Sequence, residues 1–577
     1  MKVRNTFGNT RISVKKQLFY GIICNDKKTK NQHKGAAFFM LRIENGKQLN
    51  IHSQLYQNIP ENHILKLIDS AISFEFVNEL LADNYSKNLG RPAKEPELVI
   101  KIMLIQKLYR LSNDTVMKEI AVNLAFMWYI GINPGDPIPD KSLIPKFIKL
   151  RLKGMTLDDI LTEVVRQCYE KGIIEPGNES IIDAMHIHAN TTKKFPERVM
   201  KHLVKKIFKA VDDTESVIPD YTQIDDHKEA KQVMKEYLEA VMESADERAE
   251  KEVELAREVL ASPLFIEQKG IRSLVDMDAR VGYKTKTDSF FGYKMEYMMS
   301  TNGLITAVGV HDGAYVDGTD FDKLYELTLK CGVDVKALFG DKAYFKKAIL
   351  NKLSEDGAKA YIPVSHSTYR VDETLYSYNK DSDQWICVRG NRTAAKKTNT
   401  SKRKDGSINT YYEYTFEKEE CEGCPLRGEC IKKAKGKAKK LGVGTNAAEY
   451  FEHSQWAKTD AFIEEYKKRA PIEGKNGEMK CFHGLDRAIG FGLESVNVQA
   501  KLTAIAVNLK KVASVIAAKA TEPILDSPGI PVPEAQKVEE MQVVDAPVSV
   551  DCTLYFVFIT EFVFIFSESQ KNRTAVL

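Results

Sequence analysis

The sequence predicts an α/β protein: a mixed sheet with flanking helices, preceded by an all-α N-terminal domain and carrying two insertions, one helical and one β-rich with clustered cysteines. Three observations predict it. Apolar residues recur at three- and four-residue spacings from Glu61 to about Lys171. The period then changes to that of buried strands at 179–191 and 290–313. Helical patterning returns from Thr459 to Ala520.

Residues 1–50 are polar and irregular, and no element is assigned to them. Within 51–170, Pro96 marks a helix start ahead of Leu98, Ile102, Ile105, Leu108 and Tyr109, and Ser112-Asn113-Asp114 marks a boundary. The last helix of this stretch opens at Ser142, a good N-cap residue. Lys146, Lys149 and Lys153 then share one face, as a track for a DNA backbone or as an ordinary solvated face. ESIIDAMHIHANT (179–191) reads as a buried strand. Residues 195–262 are charged and helical, with opposite charges four apart, and read as an exposed helical hairpin inserted into the sheet domain. Strands follow at 290–300 and 303–313 around Asn302-Gly303, the strongest short hairpin signal. A fourth strand, VDVKALFGDKAY (333–344), ends in an acid. The division is therefore 1–50, 51–170, 175–344 with the helical insertion 195–262, a basic β-rich insertion 345–458, the helical end of the core 459–520, and an acidic Pro-rich linker with an apolar tail, 521–577.

The 577 residues carry a net charge of +4, and the tail holds three Lys/Arg against nine Asp/Glu, so the body is basic. That weakly favours a polyanionic partner. No secretory signal is evident, so a reducing cytoplasm is expected. The apolar run 553–566 is too short to span a bilayer and contains Glu561, so no membrane partner is expected.

A strand with an Asp, a hairpin, a second strand ending in Asp and a late helix with a Glu form the order of an RNase H-like nucleotidyl-transfer core. The candidates are Asp183, Asp341 and Glu473. Cleaving a phosphodiester requires activating a water or hydroxyl and stabilising charge on the attacking and leaving oxygens, work that a pair of Mg²⁺ (or Mn²⁺) ions held by carboxylates can do. In the late helix, Tyr466, Arg469, Glu473 and Lys480 fall on one stripe at about 100° per residue. A carboxylate then lies between a phosphate-binding fork and a point charge. Pro471, Gly474 and Gly477 allow a kink or a late helix start. The paired histidines His186 and His188 suit packing or a phosphate contact better than a metal.

With these residues in place, the chain resembles a bacterial insertion-sequence DDE transposase of the branch with a Y-R-E-K helix signature and an InsH-like N-terminal domain. The resemblance covers roughly 50–510 and rests on GRPAKEPELVIKIMLIQKLYRLS (90–112), NLAFMWYIGINPGDPIPD (123–140), IIDAMHIHANT (181–191), FFGYKMEYMMSTNGLITAVGVHDGAYVDG (290–318), LFGDKAY (338–344) and IEGKNGEMKCFHGLDRAIGFGLESVNVQAKLTAIAVNLKKV (472–512). It implies that Asp183, Asp341 and Glu473 form the metal-holding triad and that Tyr466, Arg469 and Lys480 contact DNA. It also implies Mg²⁺ dependence, recognition of terminal inverted repeats, strand cleavage and transfer into target DNA, and a homodimer or higher oligomer on DNA. Lys141 stands where similar proteins often have His, and residues 1–45 and 551–577 fall outside the family pattern. Two other functions fit the same residues: a non-catalytic DNA-binding descendant, or an RNase H-like nuclease.

Cys421, Cys424 and Cys430 crowd into one decapeptide, and Cys387 precedes them. Four thiolates suit Zn²⁺; Cys481 and His483 offer a rival fourth ligand, and reduced loop cysteines are the alternative.

Overall fold

The computed structural model describes residues 51–521 except 87–92, 153–155, 263–264, 266–269, 286, 403–405 and 432–437. The expectations for 1–50 and for the linker and apolar tail beyond 521 lie outside the described residues.

Among the described residues of 51–170 the regular elements are all helices. Pro96 occupies the first turn of helix Pro96–Tyr109, where its missing N–H costs nothing. The Ser112 hydroxyl accepts a hydrogen bond from the Thr115 amide and starts helix Asn113–Ile120. Helix Leu143–Leu150 ends sooner than the lysine spacing suggested. Ser142 makes no side-chain cap, and the backbone leaves the helix at Arg151, whose guanidinium lies 4.3 Å from the Tyr85 ring while Leu152 is buried. Lys146 and Lys149 are exposed on it, and Lys153 falls outside the described residues.

The central sheet has six strands: β1 (Glu179–His188), β2 (Arg280–Tyr283), β3 (Ser289–Ser300), β4 (Ile305–Asp312), β5 (Ala337–Phe339) and β6 (Lys359–Tyr361). The order is β2-β3-β1-β5-β6, with β4 also paired to β3. β1 runs antiparallel to β3 and parallel to β5, so the sheet is mixed. Asn302 and Gly303, the latter at φ +90°, turn β3 into β4. The strand expected over 333–344 is only three residues long, because the chain leaves the sheet after Phe339 and the Asp341 side chain caps the next turn. β2 and β6 are additional to the four strands read from sequence.

Helix Leu493–Thr521 packs on β4 and on helices Ile64–Ala71, Pro96–Tyr109 and Thr156–Glu170. One continuous apolar core therefore runs from Ile59 to Ala513 through the N-terminal helices and the sheet. Two polar ties are buried in it. Asn508 closes both hydrogen bonds of the Ile305 backbone at 2.8 Å, and Lys501 pairs with Asp158 at 2.6 Å.

The segment expected to be a helical hairpin contains three α-helices: Pro196–Ala210, His227–Ser244 and Glu250–Ala261. They bury a second, separate apolar cluster around Val199, Leu203, Met234, Leu238 and Val259. A two-helix hairpin would leave part of each apolar face in water; the third helix covers it. The chain after β6 forms the hairpin β7 (Tyr376–Asn379) and β8 (Gln384–Cys387), then the antiparallel sheet of β9 (Thr393–Lys402), β10 (Ile408–Phe416) and β11 (Lys440–Gly444). Trp385 is its buried anchor.

Candidate active site

Asp183 sits mid-way along β1, opposite Tyr297 of β3. Alternation along the strand puts Asp183, Met185 and Ile187 on one face and Ala184, His186 and His188 on the other. Asp183 is 8% exposed, and its two oxygens are both taken. Oδ1 lies 3.3 Å from Arg469 Nη2, and Oδ2 accepts a 2.9 Å hydrogen bond from Asn476 Nδ2. Burial pushes this carboxyl up to about 6, against the opposing pull of Arg469 and Asn476, and the nearby Glu473 charge pushes the same way as burial.

The segment supplying the partners is helical but not uniform. It runs as an α-helix at Asp460–Tyr466, a 3₁₀ turn at Lys467–Arg469, an α-helix at Pro471–Gly477 and a π-helical turn at Glu478–Phe482. The 3₁₀ turn falls just ahead of Pro471, which lacks the N–H that an uninterrupted α-helix would use. The four signature residues therefore do not follow a single 100° stripe. The ion pair between Arg469 Nη1 and Glu473 Oε1 survives at 3.1 Å, with the Glu473 side chain 63% exposed. Arg469 thus bridges Asp183 and Glu473, and the charge of Asp341 also acts on it. Tyr466, stacked on Phe462 at 5.8 Å, is likewise within the fields of Asp341, Asp183 and Glu473, which with burial raise its hydroxyl pKa. Asp341 caps its own turn, accepting from the Ala343 amide at 2.8 Å. Lys480 is half-buried, and desolvation together with Lys284 depresses its ammonium while Asp183 and Asp486 oppose the shift.

Three carboxylates from distant stretches thus act on one guanidinium. Their hard oxygen donors suit a divalent ion such as Mg²⁺ or Mn²⁺. Among the described residues, however, no three His, Cys, Asp or Glu side chains stand as a formed metal centre. Arg469 pairs with two of the carboxylates.

Two contributors were not read from the sequence. Asn476 follows Glu473 by three residues, which puts it on the same helical face, and it donates to Asp183 while accepting from the Tyr297 hydroxyl at 2.9 Å. Tyr297 gave no local signal, since only strand pairing sets it across from Asp183. His186 and His188 lie on the face away from Asp183. Their rings meet edge to face at 5.1 Å, and burial lowers His186 to about 4, which leaves it neutral at pH 7 and packed against Phe290. Lys141 forms an exposed ion pair with Asp114.

Residues 53–150 match the family described as "Transposase domain (DUF772)", and residues 386–513 match the family "Transposase DDE domain". The second match contains Cys387, the cysteine decapeptide and the helical segment with Arg469 and Glu473; Asp183 and Asp341 precede it. A DDE domain implies an RNase H-like fold, and the mixed sheet behind a helical N-terminal region agrees with it. No curated protein matches the chain significantly. The two domain matches support an insertion-sequence DDE transposase.

Proposed function

We propose that this DNA transposase binds the terminal inverted repeats of its element, cleaves the DNA at the element ends and joins the freed 3′-hydroxyl to target DNA. The observation that carries the assignment is the convergence of Asp183, Glu473 and Asp341 on Arg469. In this reading the three carboxylates hold Mg²⁺ (or Mn²⁺), which when bound supplies activation of the attacking oxygen and charge stabilisation on the leaving one. Arg469, released from the carboxylates, presents its fork to a phosphate. Lys480 adds a point charge beside it, Tyr466 a hydroxyl, and Asn476 keeps Asp183 in place. The helices of 51–170, with exposed Lys146 and Lys149, position the terminal repeats. The active species is a homodimer or higher oligomer on DNA, working in the cytoplasm.

Incubating the purified full chain with Mg²⁺ and DNA carrying the flanks of its own gene tests this. Cleavage at the repeats that disappears in Asp341→Ala supports transposition. Specific binding without cleavage indicates a non-catalytic descendant instead, and cutting that ignores the repeats indicates a general nuclease.

A further inference from the structure

The β-rich insertion brings four cysteines from separate stretches to one small cavity. Cys387 ends β8, Cys421 lies on the short helix Lys418–Glu422, Cys424 follows in the next turn, and Cys430 ends the helix Arg427–Cys430. All four are free thiols of intermediate exposure, and all line the same cavity of about 30 Å³. Its size admits a water or a single ion and no organic ligand.

Two basic side chains stand among the thiols. Arg427 and Lys439 also line the cavity. The Arg427 guanidinium donates to the Cys421 carbonyl at 2.9 Å, and the Lys439 ammonium donates to the Cys430 carbonyl at 2.8 Å. The Tyr376 hydroxyl lies 3.6 Å from Cys430 Sγ. Two cations beside four thiols would offset the net −2 charge of a divalent ion bound by four thiolates. The rival ligands read from sequence are elsewhere. Cys481 is exposed, its carbonyl accepting from Arg110, and His483 is buried with Nδ1 3.0 Å from the Lys107 carbonyl.

We propose that Cys387, Cys421, Cys424 and Cys430 form a tetrahedral four-thiolate site for a structural Zn²⁺ ion. Since no three donors yet stand as a formed centre among the described residues, binding draws the four sulfurs inward by side-chain rotation to the roughly 2.3 Å of a Zn–S bond. Each thiol gives up its proton to solvent as its sulfur ligates, so one ion replaces four protons. The consequence is mechanical. Cys387 precedes β9, and the other three lie between β10 and β11, so one ion ties together the base of the three-stranded sheet. Most of β9 is exposed and carries Lys396, Lys397 and Lys402, while Trp385, Tyr414, Phe416 and Val443 join this region to the main apolar core. A metal there would fix the segment between β10 and β11 to the end of β8.

Elemental analysis of the full-length protein, purified under reducing conditions without chelator, should give one zinc per chain. Replacement by Co²⁺ should give the intense thiolate-to-cobalt charge-transfer bands and the visible d–d bands of a tetrahedral sulfur site. Cys424→Ser/Cys430→Ser should lose the metal equivalent, while Cys481→Ser should keep it. Metal-free wild-type protein that also shows no cobalt bands overturns the proposal, as does full zinc occupancy in the double variant. The wild-type cobalt spectrum decides the question even if the double variant fails to fold.

Discussion

Asp183→Asn should make the metal-free protein more stable while abolishing cleavage. The folded state holds Asp183 at 8% exposure, and its carboxyl is raised from an ordinary 3.8 to about 6, chiefly by burial. A carboxyl whose folded pKa lies above its unfolded value disfavours the fold wherever it must ionise. The penalty is full above the folded pKa and fades as pH falls through the window from about 6 to about 4. At 1.36 kcal/mol per pKa unit, it amounts to about 3 kcal/mol at pH 7.5 and about 1 kcal/mol at pH 4.5. Asn is nearly isosteric and removes the charge. It can still accept from Arg469 or from Asn476, but not from both through two oxygens, so about 3 kcal/mol is the ceiling of the gain. Urea unfolding of wild type and variant in EDTA, at both pH values, measures the difference. A variant that is less stable at pH 7.5, or whose advantage does not shrink on acidification, refutes the idea that a desolvated charge is stored there.

The buried pair between Lys501 and Asp158, with side chains 5% and 2% exposed, predicts that Lys501→Met costs about 3–5 kcal/mol because it leaves an uncompensated charge in the core. Adding Asp158→Leu should recover most of that loss, and a double variant no more stable than the single one in the same urea titration would contradict it. Exposed Lys146 and Lys149 predict that replacing both by Gln lowers the slope of log K against log salt for DNA binding by about 1.8, whatever the sequence. An unchanged slope in fluorescence-anisotropy titrations would make the two lysines an ordinary solvated face.

Much of the fold was legible because it depends on local patterns. The apolar spacing from Leu98 to Tyr109, the hydroxyl of Ser112 and the Asn302-Gly303 turn each act within a few residues, so their outcome is written into adjacent side chains. The three-residue strands β5 and β6 were harder. β5 is shorter than the pattern over 333–344 predicts and β6 carries no signal of its own, because strands this short owe their existence to parallel partners supplied by distant chain. The segment 195–262 is legible as charged and helical, but the number of its helices depends on how its apolar faces are covered, which is settled by packing rather than by periodicity.

At the site, the sequence alone determined which chemistry was available: three acids, an arginine and a helix order that suits phosphodiester cleavage, with four cysteines set apart. Only the tertiary structure decided that Arg469 bridges Asp183 and Glu473, that Asn476 and Tyr297 hold the central aspartate, that the two histidines face away from it, and that the cysteines share one cavity. The reason is distance along the chain. Contacts such as that between Asp183 and Arg469 join residues hundreds of positions apart, and they exist only because the apolar surfaces of many elements bury together and fix the polar groups they carry.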